Sequence, residues 1–179
     1  TKPFEITIDS YDENRHFFLS HFFRDNYESA MASVPYIASG VTINKIEVWI
    51  TNKRANYDQA RNIVAFTDLG ESSTHIQNTS WGGVPNSAPD NNANGLYAAI
   101  RATGFRDFQQ TSTALEGLNG MEGGTDFEKI ESARLLTSSE YTLNSALGYI
   151  SLKSALNQDE VLAVAYEYTY NGKVYQVGE

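Results

Sequence analysis

The chain has 179 residues, 41% of them hydrophobic and 12% aromatic, which suits one domain with a packed core and excludes a disordered segment. A net charge of −9 disfavours nucleic acid and anionic membrane surfaces, because both reward clustered Lys and Arg. With no cysteine, a disulfide, a thiolate metal site and a Cys nucleophile are all excluded. The longest apolar run, Val161 to Tyr166, is too short to cross a bilayer as a helix, so direct membrane insertion by this segment is not expected.

Taken in chain order, Phe4–Asp9 (FEITID) alternates and is predicted as a short strand. Arg15 to Leu19 fits either extended or helical backbone. Ser20 is placed to cap a helix running from His21 to about Ala32, with Phe23, Tyr27 and Met31 along one face. Pro35 ends it, since proline biases the preceding residue away from helical angles. Val41 to Thr51 reads as a long strand whose apolar phase changes near Asn44-Lys45. Val41 and Ile43 share one parity and Ile46, Val48 and Ile50 the other, which predicts a bulge. Arg61 to Asp68 holds four consecutive apolar residues and is predicted as a central strand buried on both faces.

Gly70 to Gly95 is a long polar stretch rich in Ser, Asn, Gly and Pro. Its length predicts a functional or mobile loop with few buried contacts. Within it, Trp81 is expected to fold back and pin the loop. Leu96–Thr103 and Phe108–Leu118 are helix candidates. Phe127–Leu136, Tyr141–Asn144 and Leu147–Leu152 are strand candidates. The end of the chain carries the clearest signal. Asn171-Gly172 lies between two alternating runs, the favoured two-residue hairpin turn. That turn sets Tyr170 opposite Lys173, Tyr168 opposite Tyr175 and Tyr166 opposite Val177. The sum is α+β: a mostly antiparallel sheet with a few short helices packed on one side, in a single soluble domain over residues 1–179 with a long internal loop at 70–95. Two domains divided at Gly70–Gly95 are the alternative.

Few residues form patterns with chemistry. Asp90-Asn91-Asn92-Ala93-Asn94-Gly95 matches the first half of a calcium loop, with oxygen ligands from Asp90, Asn92 and Asn94. The position that should carry a bidentate Glu is Arg101. The competing reading is an Asx-rich turn capping the helix that starts near Leu96. Lys53, Arg54 and Arg61 form a basic island that is either a solvated hairpin end or a docking point for an acidic partner. Trp81 is the aromatic candidate for ligand stacking. His16 and His21 are five positions apart, about 140° on a helix, and do not converge on a metal. No nucleophile elbow, HExxH or phosphate loop is present, so neither catalytic residues nor a cofactor are expected.

Longer strings carry a resemblance. HFFLSHFFRDNYESAMAS (His16–Ser33), SGVTINKIEVWITNK (Ser39–Lys53), RNIVAFTDLGE (Arg61–Glu71) and the whole of Ser132–Glu179 resemble the SprA/Sov family. That family is the giant outer-membrane translocon of the type IX secretion system of Bacteroidetes, tied to gliding motility. The resemblance implies a fragment of a much larger chain, a place in the cell envelope at the outer membrane, and no enzymatic activity. It also implies partners: the rest of the translocon chain, other secretion-system subunits and secreted cargo. A non-catalytic structural and interaction domain is the expected role. The alternative is an extracellular binding module for glycan or a secreted-protein signal, using Trp81 and the 70–95 loop.

Overall fold

The computed structural model describes residues 11–53, 57–102 and 106–179. The predicted strand Phe4–Asp9 lies outside the described residues. Two antiparallel sheets form the fold. The larger has five strands in the order β3-β4-β2-β7-β8: β2 (Val41–Ile50), β3 (Arg61–Phe66), β4 (Phe127–Leu135), β7 (Leu162–Tyr170) and β8 (Lys173–Val177). The smaller has the order β1-β6-β5: β1 (His16–Phe18), β5 (Tyr141–Asn144) and β6 (Tyr149–Leu152). Among the described residues there are four short α-helices: α1 (His21–Asp25), α2 (Tyr27–Ala30), α3 (Leu96–Ala102) and α4 (Thr111–Glu116).

The axis of the large sheet is the β2–β7 ladder, which pairs Val41 with Tyr170 at one end and Ile50 with Leu162 at the other. The register shifts between Ile43 and Lys45, where the sequence predicts a bulge. One extra residue restores the phase. Val41, Ile43, Val48 and Ile50 therefore all enter one core, together with Tyr166, Tyr168 and Val177. The terminal hairpin has the predicted register: Tyr166 faces Val177, Tyr168 faces Tyr175 and Tyr170 faces Lys173. Tyr168 and Tyr175 stack with centroids 5.2 Å apart.

The other side of β2 carries Trp49, which alternates with Val48 and Ile50. It packs with Ile130 and Ala133, and Ile63, Leu135 and Ala163 lean on them. Val64 and Phe66 alternate with Ile63, so they point back to the first side. There they meet Trp81, Leu96, Leu115, Met121 and Phe127. By this alternation α1, α3 and α4 all cover the side of the sheet away from Trp49, together with the small sheet.

Three expectations are corrected. The apolar run at 61–66 forms an edge strand, paired with β4 alone, and not a central one. Its two faces are covered by different clusters, which produces the same apolar run. The helix predicted from His21 to Ala32 is two short helices. Ser20 caps the first, accepting from the Phe22 amide at 3.0 Å, as its type predicts. The two meet at Asn26, which is the C-cap of the first and the N-cap of the second, and whose Nδ2 donates to the Phe22 carbonyl at 2.8 Å beside its own backbone amide at 3.1 Å. Third, the 70–95 stretch is not poor in buried contacts, as described below.

Gly148 joins β5 to β6 at φ +65°, and a Cβ there would run into the Phe23 ring. Gly120 has a similar φ of +68° but open space around it. Gly148→Ala is expected to cost about 3–5 kcal/mol, from backbone strain plus displacement of a buried aromatic. Gly120→Ala is expected to cost about 1–2 kcal/mol from the backbone alone. Denaturant midpoints of the two variants check this; equal losses would mean that Phe23 yields freely.

Candidate functional site

The segment from Asp68 to Gly95 leaves the end of β3 and is built inward on polar side chains. Asp68, 3% exposed, accepts from the Gln77 amide at 3.0 Å and from the Asn78 amide at 2.9 Å. Asn78 in turn accepts from the Ser80 amide at 3.1 Å and opens a single 3-10 turn, Thr79–Trp81. Buried Asn94 donates to the carbonyls of Asp68 at 2.7 Å and Glu71 at 3.0 Å, and accepts from the Leu96 amide at 3.0 Å. One side chain thus closes the loop and caps α3, satisfying a helix-terminal donor. Asn91 ties the loop to the edge of the sheet. Its amide donates to the Gln176 carbonyl at 2.8 Å, and its side chain exchanges two hydrogen bonds with the Gly178 backbone at 2.8 and 3.2 Å. The Tyr168 hydroxyl reaches the Pro89 carbonyl at 2.7 Å.

The sequence candidates fall as follows. Asp90 Oδ1 accepts from both the backbone and the side-chain nitrogen of Asn92, at 2.8 and 2.9 Å, forming an Asx turn. Asn92 is exposed, whereas Asn94 faces inward on the Asp68 and Glu71 carbonyls. The half calcium motif is therefore folded as a turn followed by a capped helix. Among the described residues no group of three His, Asp or Glu side chains is placed to hold a metal ion. Trp81 is 7% exposed, turned into the cluster with Leu96, Leu115 and Met121, and presents no open face for stacking. The basic island is divided. Lys53 pairs with Asp159, and Arg61 lies over the Trp49 ring at 5.5 Å. Arg54 lies outside the described residues.

A cluster the sequence reading missed joins the loop to α1. His21 and His75 stack with centroids 4.9 Å apart and planes at 14°. His75 Nε2 is 3.1 Å from Asp25 Oδ2. Glu71, 7% exposed, accepts from the His21 amide at 3.1 Å. Behind it the hydroxyl of Tyr166 is fully buried, close to Ser20 and Glu71. Burial raises the pKa of both Glu71 and Tyr166 above their ordinary values. Partners 50 residues apart, as His21 and Glu71 are, leave no local spacing signal.

The architecture is that of an α+β domain in which the buried side chains of Asp68, Asn91 and Asn94 are engaged with its own backbone. A family model described as motility related/secretion protein, SprA_N, matches residues 1–173. The chain belongs to this SprA_N family, in agreement with its resemblance to SprA/Sov, and is thus a motility- and secretion-related protein. A search of curated proteins returned no match.

Glu71 makes the cluster sensitive to pH. Its folded pKa is raised above the usual 4.5, with burial the largest cause, offset in part by the His21 amide and by His75. A raised carboxylate binds more protons folded than unfolded, so its contribution to stability falls as pH rises from 4.5 through the folded value. Glu71→Gln retains an acceptor for His21 and removes the buried charge. It is expected to be more stable than the parent at pH 7 and to flatten the stability profile above pH 4.5. Urea unfolding from pH 4 to 8 checks this; a loss at pH 7 would show that the ionised carboxylate is needed.

Proposed function

We propose that this domain is a non-catalytic structural and interaction part of a protein-secretion translocon at the outer membrane, the type IX system tied to gliding motility. The observation that carries this reading is the family match over residues 1–173. The engagement of the buried polar groups supports it. Asp68 and Asn94 hold backbone groups of the loop itself, and Asn91 ties the loop to the backbone of Gly178, which is the work of a scaffold. In this reading the domain sits in the cell envelope and braces the rest of the translocon chain. Its contacts are with other secretion-system subunits and with secreted cargo. The glycan or signal-binding alternative loses its anchor, because Trp81 is part of the core.

A scaffold fails through assembly. Trp49 is 5% exposed, and its indole nitrogen donates to Glu47 at 3.0 Å. Trp49→Asp puts a charge among Ile130 and Ala133 and is expected to cost about 3–5 kcal/mol. Translocon abundance and cargo secretion should fall together. Asp90→Ala, which removes only the Asx turn to exposed Asn92, is expected to cost about 0.5–1 kcal/mol and leave secretion near normal. Secretion of a cargo protein, measured beside translocon abundance in cells carrying each variant, decides. Abolished secretion at normal abundance in Asp90→Ala would contradict the scaffold reading and point to a recognition site.

A further inference from the structure

A cavity of about 380 Å³ opens where the ends of β2, β4 and β6 diverge. Its floor is aliphatic: Ile50, Leu136 and Leu152, each at least nine-tenths buried. Its rim is charged. Lys53, Arg134 and Lys153 gather there against two carboxylates, Glu140 and Glu160, although the whole chain has 13 Lys and Arg and a net charge of −9.

Both carboxylates are already engaged. Glu140 receives Arg134 Nη1 on its two oxygens at 2.8 and 2.9 Å, and the Thr137 amide at 2.9 Å. This holds its pKa down at about 2, with the Arg134 hydrogen bond the largest cause. Glu160 receives the amide and side-chain nitrogens of Asn157 at 2.9 and 2.7 Å. Lys53 is paired with Asp159. Lys153 is in no ion pair among the described residues. Its backbone donates to the Glu140 carbonyl at 2.9 Å, which fixes the root of its side chain beside the cavity. Arg134 uses only Nη1 on Glu140, so the guanidinium is held in place with donors to spare.

Small-ligand sites combine an apolar floor with a few fixed polar groups in a volume of roughly 300–1,000 Å³. This cavity has that combination: Lys153, in no ion pair among the described residues, stands beside the spare donors of Arg134, while Glu160 is held by the neutral nitrogens of Asn157. The geometry points to a binding site for a small aliphatic carboxylate. The alkyl group lies on Ile50, Leu136 and Leu152, and the carboxylate meets Lys153 beside the Arg134 guanidinium. The chemistry is shared by the end of a peptide finishing in an aliphatic residue and by a free branched-chain acid. The site goes beyond the scaffold role and does not rest on it.

The test is an NMR titration of the 179-residue chain with N-acetyl-leucine, 4-methylpentanoate and the uncharged N-acetyl-leucinamide. Ligands of this size bind with Kd on the order of millimolar. Saturable shifts are expected at the amides of Thr51, Leu136, Leu152 and Lys153 for at least one of the two carboxylates. N-acetyl-leucinamide is expected to bind about fivefold more weakly than that carboxylate, having lost a charge-assisted contact. Lys153→Gln should weaken the bound carboxylate about threefold at unchanged Tm, as for a partly exposed ion pair, while Lys173→Gln in the terminal hairpin should not. Tighter N-acetyl-leucine assigns the site to a peptide end, and tighter 4-methylpentanoate assigns it to a free acid. Unsaturable shifts, equal binding of the amide, or no effect of Lys153→Gln would each overturn the proposal.

Discussion

The phase correction in β2 is the constraint on which the rest of the structure depends. A strand of ten residues paired along its length with β7 presents two faces, and a single-residue slip exchanges them. Without the shift between Ile43 and Lys45, Val41 and Ile43 would face the Trp49 side while Val48 and Ile50 faced the core. With it, all four lie on the side where α1, the small sheet and the tyrosines of β7 pack. The same side continues across β4 to β3, where it receives Trp81 and the two later helices. Each apolar side chain that changes sides forfeits about 1.5–3 kcal/mol of burial, so losing two is comparable with a large part of a domain's net stability.

Part of the second layer over that face is a loop. Apolar contact alone does not hold a segment as polar as 70–95. Buried carboxylate and amide side chains do so by meeting the backbone donors and acceptors that a buried loop would otherwise leave unsatisfied. Asp68 takes two amides, Asn94 joins two carbonyls to the start of α3, and Asn91 fastens the loop to the last strand. Trp81 supplies the apolar anchor, packed against Leu115 and Met121. A loop fixed in this way presents a constant outer surface.

Local features were legible in the chain and long-range ones were not. The hairpin register follows from Asn171-Gly172, the bulge from the parity change at Asn44-Lys45, and the start of α1 from Ser20. Each is a contest decided within a few residues. The edge position of β3 was not legible, because an apolar run of four reads alike whether one sheet or two unrelated clusters cover it. The division at Asn26 is not legible either, because the apolar periodicity of Phe23, Tyr27 and Met31 runs through it. In the loop, polar composition predicts exposure, whereas Asp68, Asn91 and Asn94 are buried through partners 9 to 87 residues away. The His21–His75 stack, the Glu71 site and the cavity beneath Lys153 depend on such distant partners too.

Hydrogen exchange measures most directly whether the loop is part of the rigid body. The amides of Gln77, Asn78, Asn91 and Leu96 each donate inside this network. They are predicted to exchange with opening free energies within about 1–2 kcal/mol of those in the β2–β7 ladder. Asp68→Ala should lower the protection of Gln77 and Asn78 first. Free exchange of these amides while β2 and β7 remain protected would contradict the account, because the loop would then be a mobile appendage on a smaller core.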